Sequence, residues 1–475
     1  MSRIGGRTLA GLLPDLHSQR GPVYSALRDA VTALVLDGRV APETRLPSER
    51  ELAAALQVSR ATVTAAYDAL RESGFLTSRT GSGSYVTVPA GTAPRASIAI
   101  WRGAEVEDTI DLSCAALAAP PGVLQDALPI AAAALPAYAT NEGYEPAGLG
   151  VLREAIAARF AARGVPTVPD QIMVTNGASH GIDLLLSVLA GPGDRMLADL
   201  PTYPGVIDAA KRAGVRTVSV PMAIDGGWDI AAVKAAFRQT APRLAYLMPD
   251  FHNPTGALMG DDERVDVLRA ARQAGATVIV DESFVELGLT APPRPAAAID
   301  PHVITVGSLS KPIWGGLRIG WVRASVELVQ RLAALRASID MGGPVLDQLV
   351  AATIVPQLPD LMPERTAGLR TQRDTLLAAL ARELPQWRAV EPQGGLSLWI
   401  ELDAPMSTAL TLLAAPAGVI IVPGSRFGVD GTLERFLRIP FALPPEQLDE
   451  AVRRLAAVWH QLDRTGAAAR RLVVA

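Results

Sequence analysis

One lysine in this sequence stands out by its chemistry. The segment VGSLSKPIWGGLRIGW, residues 306 to 321, contains Lys311, one of only three lysines among 475 residues, the others being Lys211 and Lys234. A lysine amine can lose its proton and attack a carbonyl, whereas the guanidinium of arginine stays charged. Lys311 is therefore a candidate Schiff-base residue. Taken alone, the residues Ser-Leu-Ser-Lys favour a surface lysine after a serine-rich turn, so the surrounding motifs must decide.

Polar side chains follow three predicted strands. The apolar run RLAYLM leads to Asn253 in HNPTG, ATVIV ends at Asp281, and VITVG leads to Lys311. Each group alone has a structural explanation, because Asn-Pro forms turns, an aspartate after a strand caps helices, and serines suit loops. Strand-like runs that alternate with helices after residue 108 predict an α/β domain with a mostly parallel sheet, in which ligands bind beyond the carboxyl ends of the strands. We therefore expect the three groups to converge on one site.

Pyridoxal 5′-phosphate (PLP) is a cofactor that needs such a set of groups. Its aldehyde takes the Lys311 amine, its pyridine nitrogen a carboxylate such as Asp281, and its phenolic oxygen a donor such as Asn253. Its phosphate needs a cation and the N–H groups of a helix N-terminus, which the segment VTNGASHGIDLLL predicts. The other candidate cofactor contacts are phosphate-binding residues and one ring-stacking tyrosine: Ala178, Ser179, Ser308, Ser310, Arg318 and Tyr203.

Composition excludes several classes of site and protein. The formal net charge is −4, of which residues 1–88 contribute +2, so the charge is compatible with nucleic-acid binding without indicating it. The single cysteine, Cys114, excludes an intramolecular disulfide framework and a cysteine-rich zinc site, and the five histidines form no metal motif, so we assign no metal. No apolar run is long enough for a membrane helix, and the apolar stretch near the N-terminus is broken at Pro14. We expect a soluble, cytoplasmic protein with no membrane partner.

The first 88 residues show a different pattern. A helix is predicted over VYSALRDAVTALVLDGRV, a second helix after Ser48 with Glu51 as its capping-box partner, and a third from Ser59 to about Gly74. Two short strand-like runs around a glycine-rich tip follow. This layout is that of a winged helix, whose second turn helix enters the major groove of DNA. A three-helix packing module is the alternative, and the polar start of the third helix favours DNA.

The same stretch resembles the winged-helix domain of the GntR family over about residues 20 to 88. The words that carry the resemblance are LPSERELA, VSRATV and TGSGSYV. The resemblance implies DNA contacts from the helices and from the wing. The residues concerned are Arg50, Ser59, Arg60 and Thr62 in the helices, and Thr80 and Gly81 in the wing.

Residues 110 to 460 resemble fold-type I PLP enzymes of the aspartate aminotransferase superfamily. HNPTG, VDE, SLSK and GGLRIGW match in order and spacing. The resemblance implies that Tyr144 reaches the phosphate in a partner subunit, hence a homodimer, and that Arg438 in FLRIPFAL binds an effector carboxylate. One position departs from the pattern: Phe284 stands where many relatives have a tyrosine that donates to the phenolic oxygen. This departure places turnover in doubt and leaves cofactor binding intact.

A GntR winged helix fused to an aminotransferase-like domain is the architecture of the MocR subfamily of bacterial transcription regulators, which this chain resembles end to end. We expect a mostly α winged helix-turn-helix domain in residues 1–88, a linker in 89–107, and an α/β fold-type I PLP-binding domain in 108–475, with a small α+β subdomain from about residue 365. The resemblance implies a PLP-dependent regulator of a double-stranded DNA operator that senses an amino compound, or PLP itself, through an aldimine at Lys311. A working aminotransferase with an attached DNA-binding domain is the alternative, and the effector, the operator and the sign of regulation stay open.

Overall fold

The computed structural model describes residues 4–14, 16, 21–36, 40, 44–79, 83–87, 108–223, 227–291, 294–428 and 433–473. The predicted linker, residues 89–107, lies outside the described residues. Among the described helices, none is both long and apolar enough to cross a membrane.

The N-terminal unit contains four helices and a hairpin. The helices are α1 (Gly6–Leu12), α2 (Val23–Leu36), α3 (Glu49–Leu56) and α4 (Arg60–Glu72), and the antiparallel strands are β1 (Leu76–Arg79) and β2 (Gly83–Val86). The predicted order of helix, helix-turn-helix and hairpin is confirmed. The sequence analysis did not identify α1, whose Leu9 is fully buried in the same core as α2 and α4.

Local capping explains where α3 and α4 begin. The Ser48 hydroxyl accepts from the N–H of Glu51 at 3.2 Å, and the Ser59 hydroxyl accepts from the N–H of Thr62 at 3.0 Å, so each serine satisfies one free N–H of its first turn. The Glu51 carboxylate also accepts from the N–H of Gly6 at 2.8 Å and thereby ties α1 to α3. The caps set the starts of the two helices, and the contact with α1 is long-range.

A seven-stranded sheet forms the centre of the large domain. Its strands, in spatial order, are β4 (Ile172–Thr175), β10 (Gly320–Arg323), β9 (Ile304–Ser308), β8 (Thr277–Asp281), β7 (Leu244–Leu247), β5 (Arg195–Leu200) and β6 (Arg216–Pro221). Strands β5 to β9 pair in parallel, whereas β10 is antiparallel to both of its neighbours. The carboxyl ends of β7, β8 and β9 therefore lie side by side, which confirms the predicted parallel sheet.

Helices cover the sheet and separate its strands along the chain. They are α5 (Val123–Tyr138), α6 (Gly150–Ala162), α7 (Ala178–Leu189), α8 (Pro204–Arg212), α9 (Ile230–Thr240), α10 (Asp261–Gln273), α11 (Ala296–Ile299), α12 (Val326–Arg336) and α13 (Val345–Ile354). The inner strands β7, β8 and β9 are almost wholly buried, as the apolar run ITV of β9 requires when both faces of a parallel sheet are covered, whereas the edge strand β6 is partly exposed.

The C-terminal part forms a smaller α+β layer. Its four-stranded sheet has the order β11 (Arg388–Ala389), β12 (Ser397–Glu401), β15 (Phe436–Pro440) and β14 (Val422–Pro423). The helices are α14 (Leu358–Glu383), α15 (Ser407–Ala414) and α16 (Pro445–Val473). Two further strands, β3 (Ile110–Asp111) and β13 (Val419–Ile420), pair in parallel, so the start of the large domain packs with the end of the chain. Residue 365, the predicted start of the small subdomain, lies inside the continuous helix α14.

Candidate functional site

Lys311 lies just beyond the carboxyl end of β9. Its Nζ donates to the carbonyl of Ala115 at 2.8 Å and lies 5.8 Å from the centre of the Phe284 ring. Burial lowers the pKa of the Lys311 amine, which favours the neutral form that can attack a carbonyl. The predicted nucleophile therefore has an environment suited to that role.

Asp281 ends β8 and is buried beside Lys311. Its Oδ2 accepts from the Tyr246 hydroxyl at 2.6 Å, and its Oδ1 accepts from the N–H of Ser283 at 2.8 Å. Burial raises the pKa of Asp281, whereas both donors favour the ionised carboxylate. A cationic ring nitrogen beside this carboxylate would provide the charge partner that a buried aspartate requires.

Asn253 lies in the loop that follows β7. Its side chain is buried, and its Oδ1 has no hydrogen-bond partner among the described residues. Beside it, Gly256 has a φ of +71°, and a Cβ there would lie 2.3 Å from Pro392, so this turn requires glycine. A buried polar atom without a partner is costly, which indicates that Asn253 is built to meet a ligand.

The turn between β4 and α7 forms a close cradle. Gly177 has a φ of +83°, and a Cβ there would lie 2.7 Å from Nη2 of Arg318. That Nη2 donates to the carbonyl of Asn176 at 2.7 Å, so the guanidinium lies at the start of α7. Ala178 and Ser179 occupy the first turn of α7, where free N–H groups attract an anion. The cradle places a cation and a helix N-terminus together, as a phosphate group requires.

The two predicted serines differ in their partners. The Ser308 hydroxyl donates to the carbonyl of Ile319 at 3.1 Å and accepts from the N–H of Ser310 at 3.0 Å, so it shapes the loop that carries Lys311. The Ser310 hydroxyl is buried without a partner among the described residues. Ser310 is therefore the serine whose hydroxyl is available to a phosphate.

Tyr203 and Arg438 lie near the same site. The Tyr203 and Ser179 hydroxyls are 3.1 Å apart, and electrostatic interactions join Tyr203 to Asp281 and Arg438. Arg438 is on β15 and is buried, with its guanidinium carbon 5.0 Å from the centre of the Phe427 ring. Its Nη2 donates to the carbonyl of Ser113, and burial lowers the pKa of Arg438 to about 10.

Taken together, these residues fit PLP. The carboxylate of Asp281 suits the pyridine nitrogen, the Nδ2 amide group of Asn253 can donate to the phenolic oxygen, and the glycine-dependent cradle beside Arg318 suits the phosphate. Tyr144, predicted to act in a partner subunit, is 62% exposed. That exposure is compatible with a role across an interface.

Sequence reasoning missed two parts of the site. Tyr246, the partner of Asp281, is a fully buried tyrosine inside the apolar strand β7, and its buried hydroxyl in such a run was the signal that could have indicated a polar partner. The carbonyls of Ser113 and Ala115 accept from Arg438 and Lys311. No sequence pattern indicates these contacts, because every residue has a backbone carbonyl.

The predicted DNA-binding residues lie on the N-terminal unit. The side chain of Arg60 is 72% exposed at the start of α4, with one nitrogen 3.5 Å from Glu49, and Arg50 is exposed on α3. The Ser59 hydroxyl, which caps α4, is 2.8 Å from that of Thr62, so these two side chains hold each other at the start of the helix. Thr80 and Gly81 lie outside the described residues. Arg60 and Arg50 are thus the predicted contacts whose charges face solvent.

Comparisons with known families divide the chain in the same way. The family described as aminotransferase class I and II matches residues 121–455, and the family of bacterial regulatory proteins, gntR family, matches residues 23–86.

Similar proteins include both enzymes and regulators. A 2-aminoadipate transaminase of Thermus thermophilus is 31% identical over 67% of this chain and 80% of its own length. The HTH-type transcriptional regulator YdcR of Escherichia coli is 29% identical over 91% of this chain and 98% of its own. Among solved structures, the α-aminoadipate aminotransferase LysN of Thermus thermophilus, complexed with N-(5′-phosphopyridoxyl)-L-leucine, has a TM-score of 0.68 and 27% identity, covering 74% of this chain and 92% of its own.

Proposed function

The chain belongs to the class I and II aminotransferase family and combines it with a GntR helix-turn-helix domain in the MocR-type architecture, and on this premise we propose that it is a PLP-dependent transcription regulator that senses an amino compound. The observation that supports it best is the placement of Lys311, Asp281 and Asn253 at adjacent strand ends in a chain that also has a DNA-binding domain. We assign residues 1–88 to DNA binding and residues 108–475 to the cofactor and the effector.

The cofactor is PLP, which supplies an aldehyde for amines and a ring that withdraws electrons from them. Lys311 provides the amine that holds the aldehyde, and its lowered pKa keeps that amine able to react. Asp281 holds a proton on the ring nitrogen, and Asn253 donates to the phenolic oxygen. Arg318, Ser310 and the first turn of α7 bind the phosphate.

Arg438 sets the class of effector. A guanidinium binds a carboxylate in a two-point fork, so Arg438 selects amino compounds that also have a carboxylate. PLP itself as effector would use Lys311 and the cradle without Arg438. The two alternatives differ in one substitution: Arg438→Ala weakens an amino-acid effector and leaves an effect of PLP intact.

The second copy of the chain contributes Tyr144. The large domain also exposes apolar side chains that are suited to burial between subunits, among them Ile339, Met341 and Leu346. In a homodimer, Tyr144 of each subunit reaches the phosphate in its partner. The dimer also presents two winged helices, which suits an operator with two half-sites.

A working aminotransferase is the second candidate, and the complete set of Lys311, Asp281 and Arg438 favours it. Phe284 argues against it, because its ring cannot donate to the phenolic oxygen where a tyrosine would. Its buried ring lies 5.8 Å from Nζ of Lys311 and has no hydrogen-bond donor.

Turnover separates the two candidates. Purified protein with PLP is mixed with a panel of amino acids and 2-oxo acids, and the exchange of amino groups is measured together with the affinity for DNA from the promoter region of its own gene. We expect slow or absent exchange and a change in DNA affinity with one class of amino compound. Exchange at about 1 per second or faster, with unchanged DNA affinity, would make the protein an enzyme first.

A further inference from the structure

Residues 108–118, here called the strap, cross the cofactor site and are anchored at both ends. At the start, Arg454 donates from Nη1 to the carbonyl of Asp108 at 2.7 Å and from Nη2 to both carboxylate oxygens at 3.0 Å. Pairing of β3 with β13 holds the next residues. At the far end, Nη2 of Arg365 donates to the carbonyl of Ala118 at 2.6 Å. The stretch between these anchors, residues 113–117, is short.

The middle of the strap accepts hydrogen bonds from two basic side chains of the site. The carbonyl of Ala115 accepts from Nζ of Lys311 at 2.8 Å, and the carbonyl of Ser113 accepts from Nη2 of Arg438. Lys311 follows β9 of the large sheet, whereas Arg438 is on β15 of the small one. The strap therefore connects the two layers through the same side chains that we assign to the cofactor and the effector.

Occupancy of the site changes both contacts. A lysine nitrogen bonded to the aldehyde carbon keeps at most one proton, which the phenolic oxygen attracts, so the carbonyl of Ala115 loses its donor. Nε and Nη2 of Arg438 form the side-on fork of the guanidinium. Nε is buried without a partner among the described residues, and Nη2 is bound to Ser113. A carboxylate that takes this fork replaces the carbonyl of Ser113.

We propose that PLP on Lys311 removes the contact with Ala115, that an amino compound which displaces the lysine from the aldehyde restores that contact, and that only the carboxylate of an amino acid, by taking Arg438, releases Ser113. This rests on the proposed function, because it accepts those two residues as the cofactor and effector groups. Asp108, the first residue of the strap, directly follows the predicted linker in the sequence. An amine without a carboxylate displaces Lys311 in the same way and leaves the contact of Arg438 with Ser113 in place.

Cys114 makes the strap measurable without engineering. It lies between the two bound carbonyls, is exposed, and is the only cysteine in the chain. The rate of its reaction with Ellman's reagent in the full-length protein with PLP therefore reports on the strap and on the charges beside it, and a bound carboxylate would by its charge alone slow the reaction with this anionic reagent. The probes are matched pairs: L-alanine with ethylamine, L-leucine with 3-methylbutylamine, and L-phenylalanine with 2-phenylethylamine. Binding of each is followed separately by the visible absorbance of the cofactor.

For pairs that bind, we expect the amino acid to speed the reaction of Cys114 about tenfold more than its amine, which corresponds to about 1.4 kcal/mol. Arg438→Met should raise the starting rate by a similar factor and remove the difference within each pair. Arg238→Met, on the exposed face of α9, is the matched control and should behave as the unchanged protein.

Two results distinguish the proposals. Equal rates within every pair, or a slower reaction with the amino acid, while the absorbance shows binding, overturn the strap and leave the proposed function standing. A protein that holds no PLP, or whose absorbance responds to no amine or amino acid, overturns the proposed function and the strap with it. The comparison within pairs uses the unchanged protein, so it does not depend on the folding of any variant.

Discussion

Tyr246→Phe is the substitution that tests the buried centre of the site most directly. The Tyr246 hydroxyl donates to Oδ2 of Asp281 at 2.6 Å, and both side chains are buried on adjacent strands of the sheet. The change removes one hydroxyl and leaves the ring in place. The N–H of Ser283 still donates to that carboxylate at 2.8 Å.

The sign of the effect follows from the pKa of Asp281. Burial raises that pKa, so the folded chain favours the protonated carboxyl, and stability is lost as the pH rises through the folded pKa. Tyr246 offsets this loss because it donates to the ionised form. Without it the pKa of Asp281 rises further, and the destabilisation grows as the pH rises through the folded-state pKa of Asp281 in the unchanged protein. A hydrogen bond to a charged group contributes about 1.5 to 3 kcal/mol, so we expect a loss of that size at pH 8 and a smaller one at pH 5.

The assay is urea unfolding at both pH values, on protein from which PLP has been removed, followed by tryptophan fluorescence. Six of the seven tryptophans lie in the large domain and the seventh, Trp101, in the predicted linker, so the signal reports mainly on the large domain and not on the winged helix. Tyr138→Phe, at the partly buried end of α5, is the control and should change the free energy of unfolding by less than about 0.5 kcal/mol. An equal loss at pH 5 and pH 8 would refute the charge-based argument.

Three further outcomes are expected. Borohydride reduction of the yellow protein should attach the cofactor to the peptide containing Lys311, and a label on either other lysine would contradict the assignment. Gly177→Ala should weaken PLP binding at least about tenfold. A positive φ alone costs a non-glycine residue about 1 to 3 kcal/mol, and the new Cβ would collide with Arg318. Unchanged affinity in a binding titration would contradict the role of this turn in binding phosphate. Arg60→Ala should weaken operator binding by about 1 to 3 kcal/mol if it reads a base, or weaken all DNA equally with a shallower salt dependence if it touches phosphate. Unchanged affinity on every DNA would show that α4 docks differently.

The local features of the fold could be predicted from the sequence. Ser48 and Ser59 begin their helices because each hydroxyl bonds to a free N–H three residues later, a local contact that does not depend on distant parts of the chain. Asn253, Asp281 and Lys311 converge because each ends a buried strand, and parallel strands bring their carboxyl ends to one edge. The spacing along the chain therefore contained most of the site.

Contacts between distant segments could be settled only by the tertiary structure. Ser113 and Arg438 are 325 positions apart, and Ala115 and Lys311 are 196 apart. They meet because β3 pairs with β13 in the C-terminal part of the chain, a pairing that no local sequence pattern predicts. From the sequence, many buried groups could accept a hydrogen bond from the Tyr246 hydroxyl. The order of the strands places Asp281 beside it and so decides the partner. Residue types thus determined which reactive groups are present, whereas strand order and packing decided which of these groups bond to each other. A hydrogen bond depends on atomic positions within a fraction of an ångström, and only the assembled fold defines those positions.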